Sequence, residues 1–246
     1  MKSIGIIQSQ YRQRFGIPRQ PGLSPSATAT IRLDSHFTED SVEGLHEFSH
    51  IWVIFHFHDT KGKGWKEKVR PPRLGGNEKR GVFATRSPFR PNPVGLSVVE
   101  LGGIYTKDEQ VHIDVVGGDF LDQTPVFDIK PYVPYADSLP TAKSQWAQSE
   151  DTRLPISPEL GQALEQLTPK QQQLFQKQKA FIEENLSLDP RPPYLRNKDA
   201  KPGQSWGVML GDFDIRFTIE DGTVLILQCT YLQEKTLSGI QGSGKY

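Results

Sequence analysis

A chain of 246 residues with 35% hydrophobic and 24% charged residues, 22 glycines and 19 prolines is long enough to bury a real core and reads as soluble, loop-rich and globular rather than disordered. Acids and bases balance at 29 each, and a single cysteine, Cys229, excludes an internal disulfide and any cysteine-based zinc cluster within one chain; it suits a small buried hydrophobe on a strand. No apolar run approaches the roughly 20 residues that cross a bilayer, and MKSIGIIQSQYRQRF lacks a long apolar stretch with a small-residue cleavage site, so a cytoplasmic protein without membrane contact is expected.

Short β-rich runs fill the first half: 3–9, 28–34, 50–58, 81–85, 95–105 and 110–118, which together predict a barrel or curled sheet. Between the second and third, TEDSVEGLHEFS predicts a short helix with Thr38 as N-cap. The stretches 59–80 and SPFRPNPVG are too rich in Gly and Pro for regular structure, as is usual for loops that carry function. Residues 136–158 turn to small polar residues and proline, which predicts a linker over 141–156 between a domain of 1–140 and a small α+β domain of 157–238. There PELGQALEQL and TPKQQQLFQKQKAFIEENL predict helices, the second capped by Thr168 with a Pro at its first position. DIRFTIEDGTVLILQCTYL predicts a hairpin turning at Asp221 and Gly222, and 239–246 a fraying tail.

HEFSH, His46 to His50, matches the H-E-x-x-H zinc-hydrolase pattern, which works only on a helix where both histidines project from one face beside the activating Glu47. If the helix ends near Ser49, His50 belongs to the following strand and the pair diverges. His56 and His58, two apart on a strand, share a face and are a conceivable metal pair, against ordinary hydrogen-bonded histidines. No metal is expected.

Charge is uneven. Residues 1–33 carry five bases and no acid, and residues 61–90 carry ten bases against Glu67 and Glu78, a surplus of eight: a polyanion footprint or a solvated basic loop. Within it, RPPRLGGNEKRGVFATRSPFRPNPVGLS alternates arginines with prolines, so ring constraints stiffen a backbone from which guanidinium forks project. Stiff forks suit planar or phosphate-bearing ligands. Further on, LDQTPVFDIKPYVPY gathers Asp122, Asp128, Lys130, Tyr132 and Tyr135 into a proline-broken segment, where so many ionisable and aromatic groups are costly to order without a ligand.

With these pieces IGIIQSQYRQRFGIPRQPG and GLHEFSHIWVIFHFHD complete a set, in order over about residues 3–140, that resembles the TsaA-like (YaeB, TrmO) family of tRNA methyltransferases acting on N6 of adenosine 37. The C-terminal part is similar to the extension of the family's bacterial branch. The resemblance implies a single-sheeted β-barrel that binds S-adenosylmethionine and works as a homodimer on tRNA. The absence of a G-x-G-x-x-G after an early strand agrees with it. It places the cofactor at Gln20, Pro21, Gly22, His58, Asp59, Arg86, Leu96, Leu121, Asp122, Gln123 and Thr124. A histidine there can stack on or bond to adenine, and Asp122 can accept from ribose or amine groups; each residue can equally make a local turn contact.

The family's substrate is threonine tRNA whose adenosine already bears a threonylcarbamoyl group. Its N6 belongs to a urea and attacks a methyl sulfonium poorly until the proton is drawn off, so an acceptor is needed. Asp128 and Tyr132 are candidates, with Lys130 as orienter or phosphate contact. Anticodon-loop bases are single-stranded and can be stacked on aromatics and gripped through phosphate. Arg70, Arg73, Arg80 and Arg90 are the expected RNA contacts, with Trp65, Phe83 and Phe89 as stacking surfaces. The rival classes are a non-enzymatic RNA-binding β-barrel and a zinc hydrolase built on His46, Glu47 and His50.

Overall fold

Period-two burial closes the first half into a barrel. A computed structural model describes residues 1–60, 62–147, 153–196 and 198–232. Six antiparallel strands, β1 (Gly5–Ser9), β2 (Thr28–Leu33), β3 (His50–His56), β6 (Val94–Lys107), β7 (Gln110–Val116) and β8 (Thr124–Pro131), pair in the closed order β1-β2-β7-β6-β3-β8. A short hairpin, β4 (Lys68–Val69) and β5 (Arg80–Gly81), lies in the connection between β3 and β6. Alternate side chains point inward: Ile7, Ile31, Ile51, Val53, Phe55, Val99, Ile113, Val115 and Val126 form the barrel core. Each fully buried aliphatic contributes roughly 1.5–3 kcal/mol. Gly95 faces inward because its neighbour Phe55 fills the place of its side chain. Phe55 then meets Phe57 and Phe120 edge-on at 5.2 and 5.1 Å, and this aromatic cluster stops one end of the barrel.

Antiparallel closure puts every connection at one of two rims. The links of residues 10–27, 57–93 and 117–123 all lie at the rim where β1, β3 and β7 end and β2, β6 and β8 begin. The opposite rim carries 34–49, the tight turn Asp108–Glu109 with both φ positive, and the exit after β8.

Several elements differ from the sequence reading. The helix expected over TEDSVEGLHEFS is two 3-10 turns, Glu39–Val42 and Leu45–Glu47, broken by Gly44 at φ 77°, and Thr38 makes no side-chain cap bond. GVFAT is not a strand: β5 stops at Gly81 and Val82–Ala84 turn. LDQTPVFDIKPYVPY is not irregular, because Thr124–Pro131 is β8, the strand that closes the barrel between β1 and β3. Its prolines are tolerated at the second and last positions.

Beyond the barrel, short helices α1 (Pro134–Asp137) and α2 (Gly161–Leu164) precede the long α3 (Pro169–Ser187). Thr168 and Gln171 form a reciprocal capping box there, worth about 1 kcal/mol. A three-stranded antiparallel sheet follows: β9 (Trp206–Leu210), which the sequence reading missed, then β10 (Phe213–Glu220) and β11 (Thr223–Tyr231), ordered β11-β10-β9. Asp221 and Gly222 turn the β10–β11 hairpin at φ 47° and 69°, as expected. Cys229 is buried on β11, where burial pushes its thiol up to about 12. The expected tail 239–246 lies outside the described residues.

A second core packs Phe175, Phe181, Ile182 and Leu186 of α3 against Val208, Phe213, Ile215 and Phe217. It also takes in Tyr11 and Ala27 from the β1–β2 connection. Among the described residues no helix is long and apolar enough to cross a membrane.

Candidate active site

Three connections meet at one rim, and their side chains join across it. The β1–β2 connection is held to the β7–β8 connection by Gly22 N donating to Gly117 O at 2.7 Å and Gly117 N to Ala27 O at 2.8 Å. Both glycines have positive φ, 79° and 74°, which a side chain would strain. Arg86, from the arginine-proline stretch, donates to Gln20 Oε1. Arg14 reaches Asp59 at 2.5 Å, with Lys63 3.6 Å from the same oxygen.

Leu121 to Thr124 form the turn into β8. Asp122 N donates to Tyr11 O at 2.8 Å, and Asp122 Oδ1 accepts from Ser9 N at 2.9 Å. Gln123 has φ 62°; its backbone N–H donates to Ile7 O and its amide to Asp122 Oδ2 at 3.3 Å. Asp122 thus ties β1 to the turn while keeping acceptor capacity. Thr124 Oγ1 donates to Leu121 O at 2.7 Å and stands 3.4 Å from His58 Nδ1. Burial holds His58 below the ordinary histidine range, so at neutral pH it is an uncharged donor and acceptor. A groove of about 680 Å³ runs down the outer wall from Asp122 and Gln123 past Gln8, Thr30 and Asp114.

Gln20, Pro21, Gly22, His58, Asp59, Arg86, Leu121, Asp122, Gln123 and Thr124 therefore gather at one rim. Leu96 lies just below it, on the outer wall of β6, half exposed at 53%. The proposed acid–base residues are placed differently. Asp128 lies on the outer wall opposite Ile54, which in turn pairs with Leu96. Its Oδ2 is 3.4 Å from Lys130. Tyr132 is at the far rim, packed 5.9 Å from the Trp52 ring, with its N–H on His50 O. It lies eight residues from Thr124, roughly 26 Å along the strand.

Sequence reasoning missed Asp119. Ser97 Oγ donates to Asp119 Oδ1 at 2.7 Å, and desolvation raises this carboxyl to about 6 despite the nearby Arg86. The only signal in the sequence is its place between a Gly-Gly pair and Phe120, the residue that stops the barrel.

In the arginine-proline loop Arg70 is exposed, Arg73 sits in the turn Pro72–Leu74, and Arg80 pairs with Glu78 at 2.6 Å. Arg90 is engaged inside the loop, donating to Thr85 O at 2.7 Å and lying over Phe83. Phe83 and Trp65 are 77% and 51% exposed, while Lys66 lies over Phe89.

HEFSH sits at the opposite rim, with His46 in a 3-10 turn and His50 opening β3, so the pair never shares a helix face. His58 lies past the end of β3 and His56 stacks on Phe127, so the shared-face argument for that pair fails too. Among the described residues no three His, Cys, Asp or Glu side chains gather as a metal site.

Comparison with known proteins identifies the family. Residues 6–138 match the family model for the tRNA-methyltransferase O N-terminal domain, and 150–231 that for the TrmO C-terminal domain. The chain is 43% identical over 224 residues to the tRNA (adenine(37)-N6)-methyltransferase of Escherichia coli, spanning 89% of this chain and 93% of that one. It is 42% identical over 215 residues, 87% of this chain and 90% of the other, to a Pseudomonas aeruginosa protein described as an S-adenosylmethionine-dependent methyltransferase. The crystal structure of TrmO from Pseudomonas aeruginosa superposes with a TM-score of 0.71 at 36% identity, covering 93% of this chain and 95% of that one. By fold, rim and sequence, the chain belongs to the TrmO family.

Proposed function

We propose that the protein transfers the methyl group of S-adenosylmethionine to N6 of adenosine 37 in a tRNA anticodon loop. The observation that carries this reading is the convergence of three connections on one rim, where Arg86 of the arginine-proline stretch is bonded to Gln20 and lies near Asp119 of the connection that also carries Asp122. That donor set fits the methyl donor. Arg86 suits its carboxylate, Asp122 its amine or ribose hydroxyls, and neutral His58 its adenine. The donor supplies a methyl on a positively charged sulfur; N6 forms the new bond to carbon as the carbon–sulfur bond breaks, and the N6 proton passes to an acceptor.

Asp128 is the acceptor in this reading, with Lys130 holding its carboxylate and Tyr132 just past the end of the same strand. Distance along β8 supports a homodimer, in which the outer wall of β6, β3 and β8, with its exposed Leu96, meets a second copy and brings one protomer's Asp128 toward its partner's donor. Arg70, Arg73 and Arg80 with Trp65 and Phe83 grip the RNA, and Arg90 shapes the loop that carries them. The barrel segment 1–140 is the catalytic unit, joined through 141–156 to the unit 157–238. A threonine tRNA carrying threonylcarbamoyl-adenosine, met in the cytoplasm, is the substrate.

The test is transfer of labelled methyl from S-adenosylmethionine to tRNA with and without threonylcarbamoyl-adenosine, alongside thermal stabilisation by the donor. Methylation confined to the modified tRNA is expected. RNA affinity with no donor binding would instead leave a non-enzymatic RNA-binding barrel. Asp128→Asn at the wild-type rate would move the acceptor role to Asp119.

A further inference from the structure

The β1–β2 connection leaves the barrel and folds into the core of the other unit. Tyr11 and Ala27 are buried there, Phe15 and Ile17 pack against it, and at Gly16 a side chain would come within 2.6 Å of Val208. Between these apolar anchors α3 offers two polar side chains in succession. Glu184 Oε2 accepts from Ser24 Oγ and Ser26 N, both at 2.9 Å, and its Oε1 from Ser26 Oγ at 2.8 Å. Asn185 donates to Ser24 Oγ at 2.9 Å and accepts from the Tyr11 hydroxyl at 3.0 Å.

Asn185 and Ser24 are each 1% exposed; the Asn185 amide also donates to Phe181 O within α3, but its oxygen and the Ser24 hydroxyl find these partners only while the connection is seated on α3. Burial raises the Tyr11 phenol above its ordinary range, which keeps it a hydrogen-bond donor. Arg153, just before that unit, adds a bond to Leu23 O at 2.5 Å while touching Ser187 of α3. Tyr11 in turn holds Asp122 N through its carbonyl. One helix face therefore fixes both the segment carrying Gln20, Pro21 and Gly22 and the turn carrying Asp122.

We propose that Glu184 and Asn185 of α3 are positioning residues for S-adenosylmethionine: the C-terminal unit completes the donor site by holding the β1–β2 connection and the Asp122 turn in their binding geometry. The inference rests on the assignment of Gln20, Arg86 and Asp122 to the donor. Pre-seating the loop moves its ordering from the binding step to folding, so loosening it weakens donor binding while leaving chemistry at saturation intact. This gives the appendage a role that needs no RNA contact of its own.

The experiment measures donor affinity by calorimetry, KM for the donor and kcat at saturation on the full chain, for Glu184→Gln, Ser26→Ala, Gln20→Ala, Arg86→Ala and Glu184→Gln combined with Gln20→Ala. Glu184→Gln is expected to raise donor Kd and KM about tenfold with kcat within about twofold. Ser26→Ala, which removes one hydroxyl near the surface, is expected to raise both about threefold and stands in should Glu184→Gln fold poorly. The double variant is expected to bind little worse than Gln20→Ala alone, because both changes act through one segment. Normal Kd and KM in the folded Glu184 and Ser26 variants, with Arg86→Ala and Gln20→Ala impaired, overturn the inference and leave the site assignment standing. Normal donor binding in Arg86→Ala and Gln20→Ala overturns that assignment and the inference with it.

Discussion

The two rims of the barrel are made by the same six strands and share one core, yet they differ in almost every chemical respect. One gathers three connections, a half-buried histidine held below its ordinary range, a carboxyl raised to about 6 and a stiff arginine loop. The other has a two-residue turn, two 3-10 turns and the HEFSH segment, with its histidines divided between a turn and a strand. Closure removes the edges of a sheet, which leaves loop length and loop chemistry free to differ at its ends.

The contrast can be broken most directly at Arg86. Arg86→Ala is expected to weaken donor binding by roughly 100-fold, about 3 kcal/mol, through loss of a charge-assisted bond and the Gln20 contact. His46→Ala and His50→Ala should stay within about twofold in donor calorimetry and methyl transfer; equal losses at both rims would erase the distinction. Next in size, Gly95→Ala drives a methyl into the Phe55 ring and is expected to cost about 1–3 kcal/mol in urea unfolding, since the packed aromatic floor has no room to give. Arg70→Ala is expected to lower tRNA affinity about two- to fivefold and flatten its salt dependence by roughly one unit of slope, with donor binding untouched.

A last effect sharpens the comparison through pH. Asp119 holds its proton more tightly folded, at about 6, than an unfolded aspartate does. Its contribution to stability is therefore complete below about pH 4 and lost as pH rises through about 6. Asp119→Asn, which still accepts from Ser97, is expected to melt several degrees higher than the wild type near pH 7 and identically near pH 4. A gain that persisted at pH 4 would mean that ionisation is not the cause.

How far the sequence could be read follows the range of the interactions involved. Alternation of apolar residues marks β1, β2, β3, β6 and β7 because each strand has one face inward, and Asp221-Gly222 marks its hairpin because the turn demands positive φ locally. β8 escaped because prolines at its ends and polar residues on its outer face resemble a loop, and only pairing with β1 and β3 makes it a strand. HEFSH misleads in the other direction, since the turn that starts after Gly44 ends at Phe48, whose extended backbone carries His50 into β3. The rim residues carried over from the resemblance do gather, but no periodicity could have assembled them. Asp119 and Glu184 owe their roles to partners 22 and about 160 residues away, and such contacts leave no local trace.

The Phe55, Phe57 and Phe120 cluster also bears on how a ligand could reach the rim. A barrel stoppered by aromatic rings offers no passage through its middle. In the proposed reading, donor and nucleotide therefore both reach the rim from outside the barrel.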